Sequence, residues 1–189
     1  MKNPFDTITV SNTKKLASGK VKKDQPDPKI KQTLLYSQII ADAKNYLFAI
    51  GIADTYARTI LEMACFAMNR HGECETTMKA LDEALCIKDA RTRTKSLNLL
   101  RYTKLIKTIP SNKKGKMIFM VNARVASNMS YALRLVEASF AEPLYDAALD
   151  GKGFIRTDWQ EQFRAYEGNL DKLRDKQFER AFGKEGDHE

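Results

Sequence analysis

The chain has 189 residues and a mass of 21.5 kDa, and its 32 Lys and Arg against 24 Asp and Glu give a formal net charge of +8. Hydrophobic residues make up 43%, which argues against a wholly disordered chain and fits one domain with a hydrophobic core, with or without tails. No apolar run approaches the roughly 20 residues of a membrane span. The lysine-rich start does not resemble a secretory signal, and three cysteines argue against a disulfide framework, so we expect a cytoplasmic protein without a membrane partner.

The basic excess is concentrated in one part of the sequence. Residues 86–116, called the basic segment below, carry ten basic side chains and one acid, a net charge of +9. Residues 1–31 carry eight Lys and three Asp, whereas residues 32–85 and 117–189 each have a net charge of −3. Local charge of this size is typical of a surface that binds a polyanion, although a solvated lysine-rich face is the simpler alternative.

Residues 1–31 are predicted to form a basic, partly disordered N-terminal arm, because they combine prolines and many lysines with few large apolar residues. Alternating apolar residues within the arm predict a small exposed hairpin, which would contain Ile8, Val10 and Val21 and turn at Ser18-Gly19.

Four helices are predicted next, from apolar residues at three- and four-residue spacing. The first runs from Leu34 through Ile39 to Ile50 and ends near Gly51. Asp54 would cap a second helix, which ends between Asn69 and Gly72. A third runs from about Thr76 to Leu85, capped by Thr77 or Thr76; after the turn Cys86-Ile87-Lys88, Asp89 would cap a fourth that reaches Tyr102 or Lys104.

The remaining chain is predicted to hold a hairpin and two more helices. Leu105–Ile109 and Lys116–Asn122 are β-prone runs separated by a polar, basic turn. A helix is predicted from Met129 to Leu149, with a kink near Pro143, and a last amphipathic helix from about Thr157 to Phe182.

This order of elements is that of a winged helix-turn-helix: a helix, a short helix, a three-residue turn, a basic helix and a hairpin with a basic tip. We therefore predict a mainly α fold with a small β-hairpin wing, flanked by additional helices. Residues 32–128 would form the DNA-binding domain, and residues 129–189 would supply C-terminal helices for dimerisation or partner binding.

The candidate DNA-binding residues follow from this assignment. The fourth helix would direct Arg91, Thr92, Arg93 and Lys95 outward to base edges in a major groove, with Asn98 and Arg101 on the following turns, while Ala90, Thr94 and Leu97 would face inward. At the hairpin tip, Lys113, Lys114 and Lys116 would reach phosphates or a minor groove, and the start of the third helix would offer phosphates Thr76, Thr77 and Lys79.

The residues from 7 to 128 resemble the winged-helix plasmid replication initiators of the RepL family. The resemblance lies in "LLRYTKLIKTI", where a recognition helix passes into a wing strand, in "GKMIFMVNARVASN", and in the N-terminal "TITVSNTKKLASGKVKK". It implies binding of double-stranded DNA at a plasmid or phage origin and recruitment of host replication proteins. A second resemblance, to MarR-like regulators, implies instead a homodimeric transcription regulator that dimerises through its outer helices.

No motif predicts an enzyme, a catalytic residue, a metal or a cofactor. His71, Cys74 and Cys86 lack the spacing and the fourth ligand of a structural zinc site, and Cys65 and Cys86 are interpreted as core residues. A phosphate-binding glycine loop, a nucleophile elbow and a metalloprotease helix motif are all missing from the sequence. A winged-helix adaptor that binds protein remains the alternative from another functional class.

Overall fold

A computed structural model describes residues 3–8, 38–39, 43–128 and 131–165. The helices are α1 (Lys44–Ala53), α2 (Thr55–Ala67), α3 (Met78–Leu85), α4 (Ala90–Tyr102) and α5 (Tyr131–Glu137), followed by a 3₁₀ turn (Asp146–Ala148) and a helical segment at 159–165. The strands are β1 (Asp6–Thr7), β2 (Gln38–Ile39), β3 (Glu73–Thr77), β4 (Ile106–Pro110), β5 (Lys116–Val121) and β6 (Ala126–Ser127). The fold is therefore mixed α/β rather than mainly α.

The strands form a four-stranded antiparallel sheet with the order β1-β3-β5-β4, and β2 pairs separately with β6. The predicted hairpin is confirmed, because β4 and β5 pair from Ile106 opposite Val121 to Pro110 opposite Met117. Gly115, at a φ of +74°, closes the hairpin turn in a backbone conformation that favours glycine.

The core lies between the helices and one face of the sheet. Phe119 of β5 is fully buried and meets Phe5 edge-on, with ring centroids 4.9 Å apart. Ile60 of α2, Leu81 of α3 and Leu100 of α4 are also fully buried. Each such side chain contributes about 1.5–3 kcal/mol of burial free energy, so packing on the sheet is what holds α2, α3 and α4 in place.

Three helix caps were predicted from single residues, and all three are confirmed. The Asp54 carboxylate accepts a hydrogen bond from the Ala57 amide at 3.0 Å, the Thr77 hydroxyl accepts one from Ala80, and the Asp89 carboxylate accepts one from Arg91. Asp54 also accepts from the Ser96 hydroxyl, with both carboxylate oxygens within 3.1 Å, and this bond joins the start of α2 to the middle of α4.

The predicted first and third helices are wrong in part. Gln38 and Ile39 lie in β2 rather than in a helix, and α1 begins only at Lys44 and continues through Gly51 to Ala53. Thr76 lies at the end of β3 (Glu73–Thr77) rather than in the third helix, because β3 pairs with β1 on one side and with β5 on the other, and α3 begins only at Met78. Ile8 lies outside any strand, and β1 adds Asp6 and Thr7 to the sheet edge.

The C-terminal part contains less helix than the sequence predicts. In place of one helix from Met129 to Leu149, α5 ends at Glu137, and an irregular stretch with a 3₁₀ turn follows. The cause is tertiary contact with the rest of the chain. The side-chain amide of Asn122 donates to the carbonyls of Lys104 and Glu142, at 2.8 Å each, and the backbone amide of Ala123 donates to the carbonyl of Phe140. These bonds hold the chain before Pro143 in a non-helical path.

Residues 155–163 contribute to the same core as the sheet. The rings of Trp159 and Phe163 lie 6.1 and 6.3 Å from the ring of Tyr102, at the end of α4. The predictions for Val10, Val21, Leu34 and the last helix beyond residue 165 concern residues outside the described part of the chain. No helix in the described ranges has the length and apolar character needed to cross a bilayer.

Candidate nucleic-acid interface

The two central helices are joined by a short, sharply bent turn. α3 ends at Leu85, and Cys86 adopts a left-handed conformation with a φ of 54°. The Ile87 amide donates to the Asp82 carbonyl at 2.9 Å, which closes the end of α3 before Asp89 starts α4. The predicted turn Cys86-Ile87-Lys88 is confirmed, but Cys86 is exposed and is not the core residue expected from the sequence.

α4 has two distinct faces. Ser96, Leu97 and Leu100 are buried, whereas Arg91 and Lys95 are exposed and Asn98 is half-buried. Arg91, Lys95 and Asn98 follow one another at four and three residues, so they lie along one side of the helix. The outward orientation predicted for Arg91 and Lys95 is therefore confirmed.

Other orientations on α4 differ from the prediction. Ala90 and Thr94 are exposed rather than inward, and the Thr94 hydroxyl donates to the Ala90 carbonyl. Arg93, expected to point outward, forms an ion pair with Asp82 of α3 and keeps only 16% of its side chain exposed. Arg93 lies one turn before the buried Ser96 and Leu97, on the inward side of α4. It links the two helices and is not positioned to contact DNA.

Thr92 and Arg101, the two remaining candidates on α4, are both half-buried and engaged in hydrogen bonds within the protein. Thr92 is half-buried, and its backbone carbonyl accepts from the Ser96 hydroxyl at 3.1 Å. Arg101 is half-buried and donates to the Thr108 hydroxyl on β4 at 2.7 and 3.0 Å and to Asn98 at 2.9 Å. Arg101 therefore connects α4 to the hairpin and orients the Asn98 side chain.

The hairpin tip carries three lysines with unequal roles. Lys113 and Lys116 both form ion pairs with Glu75 of β3, and Lys116 also contacts Asp6 at 2.7 Å. The hydrogen bond from Lys113 holds the pKa of Glu75 below its usual value, and the one from Lys116 to Asp6 raises the pKa of Lys116. Lys114 is exposed and makes no ion pair with the residues described, so it is the tip lysine most accessible to a ligand.

The residues predicted to bind phosphate at the start of α3 are only partly accessible. Thr76 is buried in β3, and its hydroxyl donates to the Pro4 carbonyl at 2.7 Å, so this hydroxyl is not accessible to a phosphate in the structure. The Thr77 hydroxyl is occupied by the cap of α3. Lys79 is well exposed, with 87% of its side chain accessible and Glu83 at 3.8 Å on the next turn.

A groove that was not predicted from the sequence runs beside the exposed face of α4. It has a volume of about 350 Å³, and it lies between α4 and the helical segment 159–165. Its lining consists of Arg91, Lys95, Asn98, Trp159, Gln160, Phe163 and Arg164. Gln160 and Arg164 are exposed and four residues apart, a spacing visible in the sequence, but their position opposite α4 depends on the packing of Trp159 on Tyr102.

The cysteines and histidines show no arrangement for metal binding in the part of the chain described, where no cluster of three potential ligands occurs. Burial raises the pKa of the Cys65 thiol to about 12 and that of Cys74 still further, so both are unreactive thiols at neutral pH. A ring nitrogen of His71 lies 2.7 Å from the Glu137 carbonyl, which places this ring against the end of α5.

Comparison of the chain with protein-family models, with curated proteins and with solved structures finds no match.

Proposed function

We propose that this protein is a winged helix-turn-helix that binds double-stranded DNA in a sequence-specific manner, with α4 as the recognition helix. The elements α2, β3, α3, α4, β4 and β5 follow the order of that motif, and β5 lies between β3 and β4 in the sheet. The short turn at Cys86 joins α3 directly to α4, which agrees with the short connection of that motif.

The observation that carries the proposal is the separation of faces on α4. Leu97 and Leu100 anchor one side in the core, whereas the other side presents Arg91, Lys95 and Asn98. Arginine and lysine side chains pair with guanine O6 and N7, and asparagine pairs with adenine N6 and N7, in the major groove. A basic α4 with these three residues on one accessible side is suited to reading base edges.

The ion pairs of the basic segment reduce the surface that can meet DNA. Arg93, Lys104, Lys113 and Lys116 each pair with a carboxylate. Within this segment, five basic side chains are exposed without such a partner among the described residues: Lys88, Arg91, Lys95, Lys107 and Lys114. The exposed charges of this segment without a carboxylate partner thus run from the α3–α4 turn along α4, with one further lysine on β4 and one at the hairpin tip.

In the cell, we propose that this binding initiates replication of a plasmid or phage at its origin, with recruitment of host replication proteins. The support for this step is the resemblance of residues 7–128 to RepL-like initiators. The DNA-binding proposal does not depend on it, because that proposal rests on α4.

Binding of a labelled random duplex at several salt concentrations tests the DNA-binding step. We expect the affinity to fall steeply with salt, since each phosphate contact contributes a slope of about −0.9. Arg91→Ala should cost about 1–3 kcal/mol and relax the preference at one base pair. Lys152→Ala, which removes an exposed lysine outside the basic segment, is the matched control. If Arg91→Ala and Lys95→Ala bind like the control, α4 is not the recognition helix.

Selection from a random duplex library then identifies the role. An enriched site within the origin of the source replicon supports initiation, whereas a site overlapping a promoter supports a transcription regulator. Sedimentation of the complex separates the two further, because a dimeric regulator would occupy half-sites about one duplex turn apart. No enrichment, with capture of a protein partner, would favour an adaptor.

A further inference from the structure

The groove between α4 and the helical segment 159–165 has a basic lining drawn from two parts of the chain. Arg91 and Lys95 border it on the α4 side, and Arg164 borders it on the other side together with Gln160. We propose that the segment 159–165 is a second DNA-contacting element, in which Arg164 and Gln160 hold a backbone phosphate of the strand that runs beside α4. This inference rests on the proposed DNA binding and adds a contact that lies outside the basic segment.

The charges around the groove favour an anion. Arg91, Lys95 and Arg164 are exposed, and none of them forms an ion pair with a carboxylate in the described ranges. The nearby Asp158 is already occupied: it accepts two hydrogen bonds from Arg156, at 2.8 and 2.9 Å, and one from Gln162. Within the described ranges, the groove lining therefore carries three positive charges without a carboxylate partner, and it contains no acidic side chain. A phosphodiester supplies the complementary charge.

The aromatic residues of the groove indicate which part of the nucleic acid it takes. Trp159 and Phe163 are 9% and 3% exposed, because their rings pack on Tyr102 in the core. A ring that is buried in this way cannot serve as a platform for an unstacked base, as single-strand-binding proteins require. The accessible groups are instead two guanidiniums, an ammonium and two side-chain amides, which are donors suited to phosphate oxygens.

The same packing gives the contact a positioning role. Because Trp159 and Phe163 fix the segment against the C-terminal end of α4, a phosphate held by Arg164 would lie at a constant offset from Arg91 and Lys95. Phosphate contacts set the register of a protein on the duplex, and base contacts read the sequence. Arg164 is thus a positioning residue for α4 and carries no base preference of its own.

The experiment compares Arg164→Ala with Arg58→Ala in the full chain. Arg58 is an exposed arginine on α2, which packs behind α4, so its loss changes the total charge equally without touching the groove. Affinity is measured for the selected duplex and for a random duplex between about 50 and 200 mM salt, and thermal melting checks that both variants fold. We expect Arg164→Ala to lower the affinity for both duplexes by the same factor, about 5-fold. The slope of log affinity against log salt concentration should become shallower by about 0.9.

Two further variants complete the test. Arg164→Lys retains a charge for the phosphate and should restore most of the salt slope, and Gln160→Ala should weaken binding less than Arg164→Ala. If Arg164→Ala binds like Arg58→Ala while Arg91→Ala loses affinity, the second element is refuted and the proposed function stands. If the unaltered protein shows no salt-dependent affinity for either duplex, the proposed function fails and this inference fails with it.

Discussion

Replacing Arg93 by alanine should destabilise the protein without a comparable loss of DNA affinity. Arg93 pairs with Asp82 between α4 and α3, and their side chains are 16% and 26% exposed. Asp82 Oδ1 is buried and has no hydrogen-bond partner in the part of the chain described, so Arg93 is the group that compensates for the burial of this carboxylate. The variant would leave that carboxylate without its cation.

The expected magnitude lies between two limits. Exposed ion pairs contribute at most about 1 kcal/mol, whereas loss of one partner of a buried pair costs about 3–5 kcal/mol. For this partly buried pair we expect Arg93→Ala to lower the free energy of unfolding by about 2 kcal/mol. In a chain of this size, that corresponds to a fall in Tm of about 4–8 °C.

Urea denaturation measures this change directly. The chain contains a single tryptophan, Trp159, which packs against Tyr102, so its fluorescence reports the loss of the packing around α4. A double-mutant cycle with Asp82→Ala isolates the pair, and we expect a coupling energy of about 1–2 kcal/mol. An unchanged urea midpoint for Arg93→Ala, with a several-fold loss of DNA affinity, would refute the structural role of the Arg93–Asp82 pair. It would indicate instead that Arg93 contacts DNA.

Three other substitutions test separate features of the fold. Cys86→Gly should raise the free energy of unfolding by about 0.5–1 kcal/mol, because glycine relieves the left-handed strain at this exposed position. The gain is only partial, since glycine also increases the conformational entropy of the unfolded chain. Cys86→Ala is the control, and equal urea midpoints for the two variants would argue against strain. Glu75→Gln should cost about 1.5 kcal/mol at pH 7. The pKa of Glu75 is lowered in the folded protein, so the stabilisation is fully present above the ordinary value of 4.5 and is lost as the pH falls through the lowered value. The Tm values of the original protein and of Glu75→Gln should therefore converge at low pH. A Tm difference that stays constant with pH would contradict the ion pairs of Glu75. Phe5→Ala should cost about 3 kcal/mol through loss of its contact with Phe119, and a urea midpoint within experimental error of the original would show that residues 3–8 do not stabilise the sheet.

The features that the sequence predicted correctly are local ones. Asp54, Thr77 and Asp89 cap helices through bonds to amides two or three residues away, and such signals can be read from a short window. The hairpin of β4 and β5 is also local, because its two β-prone runs are adjacent in the chain. Both kinds of element were therefore predicted with nearly the observed bounds.

The errors arise where distant parts of the chain decide the outcome. The residues of β3, Glu73 to Thr77, are too polar to suggest a buried strand, and they form one because β1 and β5 pair on either side. The orientation of α4 was misjudged at Ala90, Arg93 and Thr94, because the Asp54–Ser96 bond brings the side of Arg93 toward the core. The groove beside α4 depends on Trp159, which lies more than forty residues beyond the end of the basic segment.

The hydrogen bond between Asp54 and Ser96 has a consequence for how this protein can change over evolution. It fixes α4 from its inner side, together with Leu97 and Leu100, and Arg91 and Lys95 on the outer side take no part in this packing. Substitutions at Arg91 and Lys95 should consequently alter ligand preference at little expense of stability, since surface changes usually stay within about 0.5 kcal/mol. Under the proposed DNA-binding function, descendants of this chain acquire new target sites by varying a few exposed residues while the packing of α4 stays the same.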